Sequence, residues 1–205
     1  MRINFITHKS LYHILIHSKA YLGPLVHVLD SSLYPFLKGK RNRLSLYDLS
    51  KGLVSLLQAL KLVEKIIAKR GTVLFVGGSP KLVRVLKHLP QVRFCDSPFF
   101  GNRVRFPVHL IILHEMTSKS IYEARQKRIP IIGFGGFNIK GITYPVSLNL
   151  LEEKINILYI YLITASIIRG FLSLYPKLKS NPQYINRKTL YQKRRAIFLK
   201  RKRKK

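Results

Sequence analysis

Along residues 50–69 the apolar side chains fall at Leu53, Leu56, Leu57, Leu60, Val63 and Ile67. That is the i, i+3, i+4, i+7 spacing of a helix with one buried stripe. Ser50 is placed to cap this helix, and Gly71 to end it. After Gly71 the pattern changes. Residues 72–76, 109–113 and 130–134 are short, almost wholly apolar runs, as expected of strands buried on both faces. Residues 92–95 offer a further short strand. Between them, Pro80 suits the first turn of a helix ending near His88, and Thr117 or Ser118 caps one reaching about Lys127. Tyr144-Pro145-Val146 leads into a long apolar helix over about 149–172. Strands and helices in alternation predict an α/β fold: a parallel sheet, helices on both faces, right-handed crossovers.

The first forty residues are less periodic. Residues 12–16 can open a helix, and Gly23-Pro24 breaks it. Residues 34–42 read as a basic loop carrying aromatic side chains, and residues 44–48 alternate well enough for a short strand. This divides the chain into an N-terminal extension over 1–14, an α/β domain over 15–175 and a basic C-terminal tail over 176–205. The apolar run 155–168 is shorter than the ~20 residues that cross a bilayer, contains Asn156 and is followed by Arg169, so a core helix is expected there. The N-terminus lacks the features of a secretory signal or a transit peptide.

Charge narrows the function. Lys and Arg number 38 against 8 Asp and Glu, a formal net charge of +30. Self-repulsion on that scale opposes compaction unless a polyanion is bound. RNA or DNA is the first candidate and an anionic membrane surface the second. The bases gather in three clusters: Lys38, Lys40, Arg41 and Arg43; then Arg93, Arg103 and Arg105; then the tail, with Arg187, Lys188, Lys193, Arg194, Arg195, Lys200, Arg201, Lys202 and Arg203. Residues 187–205 hold eleven Lys and Arg and no acid, so the tail is expected to be disordered until it meets phosphate. Tyr34, Phe36, Phe99 and Phe100 flank two of the clusters. Phosphate contacts beside stacking surfaces are the chemistry of RNA binding.

Other chemistry is weaker. Gly77-Gly78-Ser79 follows a buried strand and precedes a helix, where nucleotide-binding folds hold phosphate. It lacks both the spaced third glycine and the Lys-Ser/Thr pair, so a tight turn is expected and no cofactor. His109, His114 and Glu115 lack metal-ligand spacing, so no metal is expected. Asp48 and Asp96 stand at strand ends, where capping is the simpler role than catalysis. Cys95 is the single cysteine, which excludes an internal disulfide and a cysteine-cluster zinc site.

Five segments, in this order, carry a family resemblance over residues 15–172. They are Lys40-Arg41-Asn42-Arg43-Leu44-Ser45-Leu46-Tyr47-Asp48-Leu49; Arg70-Gly71-Thr72-Val73-Leu74-Phe75-Val76-Gly77; His109 to Leu113 with Glu123-Ala124; Arg128 to Phe134 with Asn138; and Tyr144-Pro145-Val146 with Asn149. The chain resembles the S2 family of small-subunit ribosomal proteins. That resemblance implies a flavodoxin-like (Rossmann-like) sheet and a non-catalytic role bound to ribosomal RNA and neighbouring ribosomal proteins. It also implies departures. The family's long helical hairpin has only residues 96–107 to occupy, so the coiled-coil insertion is reduced. Phe99-Phe100-Gly101 replaces the usual tryptophan junction, Gly136 replaces an aspartate before Asn138, and Tyr21 and Pro24 stand where histidines are usual. The few acids and abundant Lys, Ile, Tyr and Phe look organellar, with a mitochondrion expected, the gene lying in the organelle itself, and a plastid as the alternative. The rival classes are a nucleotide-dependent enzyme using Gly77-Gly78-Ser79 and a membrane-surface protein using 155–168 and the tail.

Overall fold

Val73, Leu74, Phe75 and Val76 are all fully buried, because this strand lies at the interior of a sheet covered on both sides. The computed structural model describes residues 8–77, 80–89, 91–95, 107–114, 117–134, 140–149 and 153–174. The described elements are α1 (His8–His17), β1 (Leu22–Leu25), β2 (Leu37–Arg41), β3 (Leu44–Tyr47), α2 (Leu49–Ala68), β4 (Val73–Val76), α3 (Pro80–Leu86), β5 (Val92–Cys95), β6 (Leu110–Leu113), α4 (Ser118–Gln126), β7 (Ile131–Phe134), β8 (Tyr144–Val146) and α5 (Glu153–Leu174).

Five strands form a sheet in the order β5-β4-β6-β7-β8, with every pairing parallel. Counted within the sheet this is 2-1-3-4-5, the flavodoxin-like arrangement. The chain leaves β4 in one direction and β6 in the other, so right-handed connections put α3 and α4 on opposite faces. The core confirms it. Leu86 of α3 joins Val73, Phe75 and Ile112 on one face together with α1, α2 and α5. Ile121 and Ala124 of α4 join Leu74, Val76, Ile111 and Leu113 on the other.

The first face is thick because α2 and α5 lie side by side. Gly170 makes the close approach possible: a Cβ there would sit 2.7 Å from the Glu64 carbonyl oxygen and 2.8 Å from Ile67 Cβ. By length and apolar character α5 could cross a membrane. In this fold Ile155, Tyr159, Leu162, Ile163 and Ile167 turn inward, as expected of a core helix, while Ile157, Tyr161 and Ile168 stay partly exposed.

A second sheet precedes the first. β1, β3 and β2 pair antiparallel, with β3 in the middle. Its own small core is Leu33 and Tyr47, flanked by Leu29, Phe36, Leu37 and Ile142.

Several local expectations need correction. Residues 34–42 are not a loop: Ser31–Phe36 is a 3-10 helix and Leu37–Arg41 is a strand. Lys-Gly-Lys-Arg has no apolar alternation, so only pairing with β3 reveals the strand. Gly23-Pro24 does not merely break a helix but lies inside β1. Tyr144-Pro145-Val146 is a strand in its own right, and Pro145 is tolerated because β8 is an edge. Asp48, not Ser50, caps α2, its carboxylate accepting the Ser50 N–H at 3.0 Å. The left-handed residue ending α2 is Arg70, at φ 60°, and not Gly71. Arg70 N–H donates to the Ile67 carbonyl at 3.0 Å and Gly71 N–H to that of Ile66 at 2.8 Å, a Schellman closure. Gly71 is instead required for space, since a Cβ would lie 2.6 Å from Ile66 Cγ2.

Candidate nucleic-acid interface

The first basic cluster stands on a rigid support. Arg41 pairs with Leu44, leaving Asn42 and Arg43 as a two-residue loop. Both have positive φ, 47° and 65°, as the tight turn matched to the twist of a hairpin requires. Lys38, Lys40, Arg41 and Arg43 are all exposed on this hairpin. Underneath, Tyr47 and Leu33 hold β3, and the Ser45 hydroxyl donates to the Pro24 carbonyl at 2.8 Å, tying β3 to β1. The aromatics noted beside the cluster divide. Phe36 packs into the small core, whereas Tyr34 is 59% exposed and available for stacking.

Arg93, the described member of the second cluster, does not join the first. Ile142, just before β8, packs against the small core, so the small sheet lies on the β8 side. Arg93 is exposed on β5, the opposite edge. Four strand spacings of ~4.8 Å put roughly 19 Å of sheet between the edges. Arg103 and Arg105 lie outside the described residues, as do Phe99, Phe100 and the tail residues Arg187, Lys188, Lys193, Arg194, Arg195, Lys200, Arg201, Lys202 and Arg203. The segment 96–106, where the reduced hairpin was expected, and Asn138 are outside them too.

Small-molecule chemistry finds little here. Gly77, at φ 69°, turns the chain at the switch point between β4 and β6, while Gly78 and Ser79 lie outside the described residues. The helix that follows has only seven residues. A groove of about 560 Å³ opens along α4, lined among the described residues by Ser118, Ile121, Tyr122, Arg125, Gln126 and Lys140, none of them a carboxylate. Asp48 is occupied as a helix cap, the simpler of its two roles; Asp96 is outside the described residues. His109 Nδ1 accepts the Thr72 N–H at 3.1 Å, bracing β6 against β4. Among the described residues no three His, Cys, Asp or Glu side chains group as a metal site. Two tyrosines have raised pKa values, and burial is the cause of both: Tyr47 is pushed up to about 12, and Tyr159 well above the usual range. Both side chains are packed in hydrophobic cores.

Reading the bases by nearness in sequence missed others. Arg70 and Arg128 are 58 positions apart by number, yet each ends a helix that leads into the parallel sheet. Only the topology relates them.

The fold and its surface thus define a doubly wound α/β protein that displays exposed bases both on its hairpin and along its sheet edges. Comparison with known proteins agrees. Residues 15–106 match the family model described as ribosomal protein S2. The chain is 27% identical to the small ribosomal subunit protein uS2m of Marchantia polymorpha, over 80% of this chain and 94% of that one. It is 31% identical to the uS2 protein of Borreliella burgdorferi strain B31, over 48% of this chain and 35% of that protein. A shorter stretch is 38% identical to the uS2 protein of a Methylobacterium strain, covering 31% of this chain and 18% of its relative. Each of these matches is to ribosomal protein S2, and that is the family this chain is similar to.

Proposed function

We propose that this protein is a structural constituent of the small ribosomal subunit in mitochondrial translation, non-catalytic, held by small-subunit ribosomal RNA and neighbouring ribosomal proteins. The observation that carries this is the match to a uS2m protein over nearly its whole length. The net charge of +30 supports the RNA partner. The α/β unit of residues 15–175 is the docking body, 1–14 an extension and 176–205 a basic arm. Lys38, Lys40, Arg41 and Arg43 at the hairpin, and Arg93 on the far edge, neutralise phosphates. Each neutralised phosphate releases counterions, so affinity falls steeply with salt. Little base reading is needed, because shape and backbone contacts position the protein.

The test is a sucrose gradient of native mitochondrial lysate at moderate salt, with the chain followed by mass spectrometry. Co-migration with small-subunit RNA, abolished by ribonuclease, is the expected result. Migration as free protein or with membrane would overturn the proposal. Recovery of the same complex from plastids instead would move the compartment and leave the ribosomal role standing.

A further inference from the structure

Among the described residues, five other than glycine hold a left-handed backbone: Lys19, Asn42, Arg43, Arg70 and Arg128. There the Cβ crowds the following carbonyl oxygen, and glycine or asparagine is the usual occupant. Lys and Arg are 38 of 205 residues, under one in five, yet they fill four of these five positions. Arg128 repeats the geometry of Arg70. Its N–H donates to the Arg125 carbonyl at 2.9 Å, and Ile129 N–H donates to that of Ala124 at 3.3 Å. A base near a helix C-terminus gains from the helix dipole. That gain is open to any residue of the last turn, including those with no backbone cost, and does not reach Arg43 in its hairpin. Something else favours positive charge at these sites.

Arg70 and Arg128 share one edge of the molecule. α2 leads into β4 and α4 into β7, and the strands are parallel, so both helices end where the strands begin. α3 ends there as well, placing Lys87 before β5. The strand starts are in register, with Val73 beside both Val92 and Leu110, and Ile111 beside Ile131. Three spacings of ~4.8 Å make this row roughly 14 Å long. Lys69, Arg70, Lys87, Lys127 and Arg128 are exposed along it. The nearby carboxylate of Glu64 faces Arg169 at 3.6 Å. α5 runs alongside α2 and ends at the same edge.

We propose that this edge, centred on Arg70 and Arg128, is a second RNA-binding face that grips the phosphate backbone of folded RNA, distinct from the hairpin tip. Guanidinium groups suit it, because their paired donors match phosphate oxygens. The inference rests on the RNA-binding role proposed above, and its test separates the two.

Glycine is at ease in the left-handed region, so Arg70→Gly/Arg128→Gly removes charge without asking the backbone to change. The full-length double variant is expected to melt no lower than the unaltered chain. Its binding to small-subunit ribosomal RNA should weaken, with the slope of log affinity against log salt shallower by about 2, one for each lost phosphate contact. Arg70→Lys/Arg128→Lys keeps the charge and should restore most of that slope. An unchanged affinity and slope in a glycine variant that still melts normally would overturn the second face. If, with the glycine variant unchanged, removing the hairpin bases still lowers the slope in the same assay, the RNA-binding role stands while this edge is discarded. If the unaltered chain shows no salt-dependent binding, both fall.

Discussion

The two sheets of this protein solve opposite problems. In the parallel sheet, β4, β6 and β7 are buried along their whole length, and helices cover both faces. In the antiparallel sheet, β2 is exposed from its second residue onward, and β3 buries only alternate side chains. One sheet is a core. The other is a platform, with Leu33 and Tyr47 as the buried hydrophobic side chains of its core among the described residues. The RNA-binding role proposed for this surface would use the division, because a base held out to phosphate contributes nothing to its own support. The strongly packed sheet supplies the stability, and the thin sheet supplies a fixed direction for Lys40, Arg41 and Arg43.

The comparison can be broken first at the core. Phe75 is fully buried and stacks on Phe94 with ring centroids 5.3 Å apart. Phe75→Ala should cost about 3–5 kcal/mol, from lost burial and the cavity left behind. Both sheets should then be lost together in one denaturant transition. If only the antiparallel sheet were lost, the parallel sheet would not be the scaffold.

A smaller effect should separate the sheets by pH. Burial raises the Tyr47 pKa to about 12, above the ~10 of an unfolded tyrosine. A raised pKa favours the folded protonated form, so this stabilisation is complete below pH 10 and is lost as pH climbs towards 12. Base should therefore loosen the antiparallel sheet, seen as faster amide exchange in β3 with the rise of tyrosinate absorbance. Tyr47→Phe should move the onset to higher pH. An onset unmoved by that substitution would assign the base sensitivity elsewhere, with Tyr159 the next candidate.

The smallest change in stability is expected at the hairpin. Lys40→Ser/Arg41→Ser/Arg43→Gly should alter folding by no more than ~0.5 kcal/mol, since exposed side chains rarely do more. Its effect should fall on RNA, with a salt slope shallower by about 3. A fall in stability with RNA binding intact would make the hairpin bases structural and invert the comparison.

How much was legible follows from how each signal is written. The stripe on α2 and the apolar runs of β4, β6 and β7 are local patterns, and they are found where periodicity places them. β2 carries no such pattern, because Lys38, Gly39, Lys40 and Arg41 face solvent, and a strand held only by its neighbour's hydrogen bonds leaves little trace in its own residues. The ends of α2 show a subtler failure. Asp48 and Ser50 are both plausible caps, and Arg70 and Gly71 are adjacent. Backbone angles choose between them. The bases of the first cluster were readable because they fall within six residues of one another, from Lys38 to Arg43. Those of the sheet edge were not, because Arg70 and Arg128 come to share an edge only after three parallel crossovers.

By itself the sequence determined the α/β class, the buried strands, the long helices and a positive charge that calls for a polyanion. These depend on which side chains must leave water and on how many charges are left over, and both are properties of composition and spacing. Tertiary structure decided the rest: the 2-1-3-4-5 strand order, the antiparallel platform under the hairpin, the close approach of α5 to α2 at Gly170, and which bases share a face. Those depend on contacts between residues distant in the chain, where pairing and packing, and not local preference, set the lowest free energy.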